Sequence, residues 1–199
     1  GPQPERFRAH FNEHWALIEA NPAQMAATVA RALPLLNDPT AQAHLRQVVE
    51  GFVPQTQADF NANPFGLPFR PHVWGVGWNI QSLGVQGYYL HRAFPELVDR
   101  SLVMHALEYV LGCHPASNTS LVSGVGAHSL TSAYGTNRAE WSYIPGGIAS
   151  GPNLIRPNFP ELKEPFPFLW QQAEYVIGGA ATYLFLVLAA EQLFNGTSA

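Results

Sequence analysis

The chain has 199 residues, a formal net charge of −4, an apolar fraction of 47% and a charged fraction of only 12%. Those values fit a folded domain with a real core and argue against disorder. With no run of Lys and Arg no nucleic-acid partner is expected, and the lone Cys113 excludes an internal disulfide.

Phe7, Phe11, Trp15 and Ile18 recur at helical spacing and predict a first helix over residues 4–20. Asn21-Pro22 is a turn that puts proline at a first helical position, opening an alanine-rich second helix that stops near Pro34. Asp38-Pro39 repeats the signal, and Leu45, Val48, Val49 and Phe52 form the apolar face of a third helix over 40–52. Pro54, Pro64, Pro68 and Pro71, with Asn61, Asn63 and Gly66, predict a loop over 54–71, ordered by Phe60, Phe65 and Phe69. Residues 72–94 read as a fourth helix despite Gly75, Gly77, Gly84 and Gly87. Each glycine costs roughly 1 kcal/mol against alanine, which close helix packing would explain. Pro95 opens a fifth helix that Gly112 ends.

Residues 113–169 are rich in Gly, Pro, Ser and Asn, with no helical pattern. A loop of that length with so many aromatics is read as functional. The last helix, 169–194, is the most apolar. Its run from Tyr175 to Ala190 is shorter than the ~20 residues a bilayer requires, and Glu174 and Glu191 bracket it. It is read as a buried core helix, and no membrane is expected. About six helices, no clear strand and two long loops predict an all-α fold. Periodicity alone does not distinguish a helical toroid from a bundle.

Five stretches in order resemble the C-terminal half of the family 9 glycoside hydrolases, the cellulase type. Pro64-Phe65-Gly66-Leu67-Pro68-Phe69 with Trp74-Gly75 is similar to the family's Pro-Tyr-Gly-Val-Pro-Tyr and Trp-Gly. The run from Ala106 to Pro115 resembles Asp-Tyr-Leu-Leu-Gly-Arg-Asn-Pro. Ser120-Leu121-Val122-Ser123-Gly124-Val125-Gly126 resembles Ser-Tyr-Val-Thr-Gly-Phe-Gly. Gly147-Ile148-Ala149-Ser150-Gly151-Pro152-Asn153 resembles the family's Gly-Gly-Pro-Asn segment. Trp170 through Ala180 resembles Asn-Glu-Val-Ala-Ile-Asn-Tyr-Asn-Ala, which places Glu174 on the catalytic acid.

The resemblance implies an (α/α)6 barrel, a toroid of six hairpins, with residues 1–199 supplying about half as the C-terminal part of one catalytic domain. It implies an inverting β-glycosidase acting on β-1,4-linked glucan or related β-linked oligo- or polysaccharide, secreted or periplasmic. Two departures stand out. The family's Asp-Ala-Gly-Asp, which carries the catalytic base, is absent, so the base is expected from a missing N-terminal half or a second chain. Where the family has His-His-Arg, this chain has Thr136-Asn137-Arg138.

Inversion needs one carboxyl to protonate the leaving oxygen and a second to activate water. The acid must hold its proton near neutral pH, which asks for apolar neighbours; Trp170 and Tyr175 flank Glu174. Sugar rings present flat C–H faces to aromatic rings, and Tyr134, Trp141 and Tyr143 are the candidate platforms, with Arg138 for hydroxyl groups. Trp74 and Trp78 have core helix spacing as well as platform chemistry. Glu140, beside Trp141, is the best internal stand-in for a base. His72, His114 and His128 lack the paired spacing of a zinc site, so no metal or other cofactor is expected. Calcium on loop carboxylates and carbonyls, as in some relatives, stays open. The rival reading is a non-catalytic carbohydrate-binding or structural helical fragment.

Overall fold

The structure, a computed structural model, describes residues 4–68, 70, 72–131, 143–156, 159–162 and 170–196. The fold is all-α, with eight helices and one small sheet among the described residues: α1 (Pro4–Glu13), α2 (Trp15–Ala20), α3 (Pro22–Leu36), α4 (Pro39–Asn61), α5 (Val76–Ala93), α6 (Ser101–Val110), β1 (Asn153–Arg156), β2 (Phe159–Glu161), α7 (Trp170–Ala173) and α8 (Ile177–Phe194). The chain forms two compact units. The first comprises the residues up to Asp59 with Gln86–Arg100; the second comprises Phe60–Val85 with the residues from Ser101 onward.

In the first unit, Ile18, Ala26, Val29, Ala30, Leu45, Val49, Leu90 and Phe94 share one core. Small alanines let α3 approach its neighbours, and Phe11, Trp15 and Phe52 pack around the margin. The first predicted helix is broken once: His14 donates its backbone N–H to Phe11 rather than continuing the α pattern. Asn37 closes α3 in the left-handed conformation (φ 46°). Asp38 Oδ1 accepts from the backbone N–H groups of Thr40 and Ala41 as α4 starts, the expected capping role of an Asp.

Two helices outrun their predicted ends, because their prolines do not stop them. α3 passes Pro34 and α4 passes Pro54. A helical proline forfeits one N–H and crowds the carbonyl four residues earlier. After Pro54, α4 is supported by a Gln55 to Asp59 side-chain bond and by the Thr56 hydroxyl bonding the Phe52 carbonyl. Residues 54–61 are therefore helix, and the loop begins only after Asn61.

In the second unit α6 packs against α8. A Cβ on Gly84 of α5 would lie 2.7 Å from both Ala106 of α6 and Leu186 of α8. That is the close packing the helical glycines led us to expect. α6 begins at Ser101, not Pro95, and ends at Val110, with Gly112 (φ 123°) two residues beyond. Contrary to the expectation of no strand, β1 and β2 pair antiparallel, Asn153 opposite Glu161 and Leu154 opposite Pro160.

The last predicted helix is also interrupted. After α7 the chain runs extended through Glu174 and Tyr175, and Ala149 bridges Tyr175. α8 is apolar along most of its length, yet among the described residues only a minority of its positions are buried. Leu186, Ala189 and Ala190 are buried, while Ile177, Leu184 and Leu188 are 88%, 61% and 55% exposed. The helix is long and apolar enough to cross a bilayer by length and composition. As described it is a one-sided core helix rather than the fully buried one expected.

Candidate active site

The second unit gathers the distant loop segments through main-chain bonds. Residues 63–67 fold on their own side chains: Phe65 N–H donates to Asn63 Oδ1, and the Asn63 amide donates to the Leu67 carbonyl. His105 of α6 donates from Nδ1 to the Gly66 carbonyl at 3.1 Å. The next stretch is held by β1: Leu154 N–H bonds the His72 carbonyl and the Asn153 amide bonds the Val73 carbonyl, both at 3.0 Å. Gly75, at φ 78°, then turns the chain into α5.

Four further bonds complete the seam. Gly77 N–H reaches the Ser150 carbonyl at 2.8 Å, Leu121 N–H the Val110 carbonyl at 2.8 Å, Ala149 N–H the Leu121 carbonyl at 3.0 Å, and Ser150 N–H the Glu174 carbonyl at 2.9 Å. A Cβ at Gly77 would meet the Ser150 carbonyl oxygen at 2.9 Å, so only glycine allows that approach. Gly151 N–H and the Ser150 hydroxyl take the carbonyls of Gln172 and Gln171. Those bonds draw off carbonyls that a continuous helix would use, which is why α7 and α8 are separate.

Glu174 emerges at the end of this seam. Its Oε2 accepts a hydrogen bond from Trp74 Nε1 at 2.7 Å. Oε1 accepts none among the described residues, and no cation there pairs with the carboxylate. The Trp74 ring stands edge-on to Trp78, with centroids 5.1 Å apart and planes at 87°. Trp78 packs its indole edge on Gly179 of α8. Its Nε1 and both polar atoms of Gln81 are buried with no hydrogen-bond partner among the described residues. Trp74 is 42% exposed and precedes α5, so it is not in the helix that its spacing to Trp78 suggested.

Tyr143 is half exposed, with its hydroxyl against Gly124. Tyr134, Arg138, Trp141 and Glu140 lie outside the described residues. Sequence reasoning named Trp74 for its Trp-Gly match and its spacing to Trp78, but not as the hydrogen-bond partner of Glu174.

Behind the site, His114 is buried. Burial pushes its imidazole below its ordinary range, against a smaller upward pull from the bond to the Thr119 carbonyl. Its Nε2–H donates to that carbonyl at 2.9 Å, which ties the ring to the turn after α6. Burial also pushes the neighbouring Tyr109 phenol far up. Cavities of about 390 Å³ beside Arg31 and Tyr89, and about 460 Å³ beside Phe65 and His105, include neither Glu174 nor Trp74. Among the described residues the one cluster of His and Glu with metal-ligand spacing is His10, Glu13 and His14, in the first unit.

No family model matches the sequence, and no curated protein matches it. Among solved structures, the chain is similar to the structure of AaCel9A in complex with cellobiose-like isofagomine. The TM-score is 0.60 and the identity 14%, over 82% of this chain and 34% of that one. The chain thus spans about a third of the length of that protein. At such identity the likeness establishes a fold distantly similar to that of a family 9 cellulase.

Proposed function

We propose that the chain is the C-terminal part of one (α/α)6 catalytic domain of an inverting β-glycosidase, with Glu174 as the general acid. The observation that carries this reading is the Trp74–Glu174 hydrogen bond. It joins two of the sequence stretches that resemble family 9, a hundred residues apart, and the other stretches supply the seam that holds them.

The chemistry follows from the geometry. Trp74 anchors Oε2 and leaves Oε1 free to deliver a proton to the leaving oxygen. The Trp78 edge fixes the Trp74 ring, so the carboxyl is oriented before substrate arrives. The exposed Trp74 face and Tyr143 offer apolar surface for sugar rings, joined in this reading by Tyr134, Trp141 and Arg138. The water-activating base would stand about 6.5–9.5 Å from Glu174, across the scissile bond, and comes from outside this chain. The bare apolar side of α8 supports that division, since an exposed apolar patch marks a surface that another element covers. The rest of the barrel, in the same polypeptide or a second chain, is its natural cover. The cellobiose-like ligand of the structural neighbour supports a β-linked oligo- or polysaccharide as substrate. A polymeric substrate places the work outside the cytoplasm, secreted or periplasmic.

The test is a reducing-sugar assay of the complete enzyme on β-glucans and short β-linked oligosaccharides. Glu174→Gln should lower kcat by roughly 10²–10⁴ with KM nearly unchanged, the usual contribution of a general acid. A loss below tenfold would remove Glu174 from the role.

A further inference from the structure

The histidines at the end of α1 have no part in the site above. His10, Glu13 and His14 are exposed, and each offers a ligand atom within 4.8 Å of the others. Positions 10, 13 and 14 share one face of a helical turn, because residues three and four apart are neighbours. The His10 and His14 ring centroids are 4.4 Å apart, and His10 Nδ1 lies 3.9 Å from Glu13 Oε2.

The break after α1 orients one ligand. His14 N–H bonds the Phe11 carbonyl, which leaves the His10 carbonyl to accept from His14 Nδ1 at 2.7 Å. A ring that donates from Nδ1 to a carbonyl keeps its Nε2 lone pair for a metal, the usual outer-sphere arrangement of ligating histidines. We propose that His10, Glu13 and His14 form a surface site for a divalent transition metal of the zinc type. Two imidazoles and one carboxylate are the ligand set zinc prefers over magnesium or calcium. Water would complete the coordination.

The test is titration of the metal-free 199-residue chain with Zn²⁺, and separately Mg²⁺, by calorimetry at neutral pH. One Zn²⁺ should bind per chain, and Mg²⁺ should not. His10→Ala and His14→Ala should each weaken Zn²⁺ at least tenfold, since even outer-sphere losses cost about 10–100-fold; His128→Ala should not. All three side chains are exposed, and circular dichroism checks each variant's fold. In parallel, NMR of the unsubstituted chain should show Zn²⁺ shifting the His10 and His14 ring signals before those of other histidines. No zinc binding at tens of micromolar, unchanged binding in both alanine variants, or first shifts at other histidines would overturn the proposal.

Discussion

The two units solve different problems with the same helices. Among the described residues, Gln81, His114, Ser120, Ser123, Ser150, Asn153 and Gln172 are the buried polar side chains, and all seven belong to the second unit. The first unit buries alanines, leucines and valines and leaves polar groups outside, where Arg46 pairs with Glu50 and Glu96. An apolar core stabilises through non-directional burial and tolerates exchanges that keep its volume. Buried polar side chains and main-chain bonds between loops fix positions, at the cost of desolvation. The unit that carries Glu174 and Trp74 uses the second method.

Breaking the first unit's core should give the largest stability effect. Leu45 is fully buried there, and Leu45→Ala should cost about 2–5 kcal/mol by lost transfer energy and the cavity left behind. Hydrogen exchange should show the loss in that unit's amides while those of Gly77 and Ser150 keep their protection. An equal loss in both units would mean that they unfold as one and would break the comparison.

Loosening the second unit should cost less but reach the site. A Cβ at Gly112 would sit 2.8 Å from the Asn118 carbonyl, at a φ of 123°. Gly112→Ala should destabilise by about 1–3 kcal/mol, as backbone strain of this kind does. Exchange at the neighbouring Leu121 and Ala149 amides should quicken. Unchanged exchange there would show that the seam does not depend on this turn.

The smallest effect is a pH dependence. Burial holds the folded His114 imidazole below its unfolded value of 6.5. Above that pH both states are neutral and His114 contributes no pH dependence. As pH falls below 6.5 the unfolded chain binds the proton first, so stability falls until the folded chain also titrates. The slope from one such group is at most about 1.4 kcal/mol per pH unit. Urea unfolding at pH 7.5 and 5.5 should show a smaller acid loss for His114→Gln than for the unsubstituted chain; equal losses would contradict a neutral buried His114.

The helices were legible because their signals are local: Asn21-Pro22 and Asp38-Pro39 mark starts, and Gly112 marks an end. Their true lengths were not legible. Pro34 and Pro54 read as stops, but one lost hydrogen bond was outweighed by the packing and side-chain bonds of the rest of the helix. The resemblance pointed to Glu174, but its surroundings had no signal in the sequence. The break between α7 and α8 comes from carbonyls shared with Ser150 and Gly151, and the Trp74 bond spans a hundred residues. Neither leaves a periodic trace in the sequence. His72, His114 and His128 were weighed as ligands, but His10 and His14 were passed over, although their four-residue separation is itself a local signal.

The central claim is that Glu174 stands in half of a site. It is tested most directly by incubating purified residues 1–199 alone with β-glucan and short β-linked oligosaccharides, with Glu140→Gln alongside. The account predicts no turnover above background, because in it the base that inversion requires comes from outside this chain. Turnover like that of an ordinary cellulase, lost in Glu140→Gln, would show that this chain carries both carboxyls and would contradict the account.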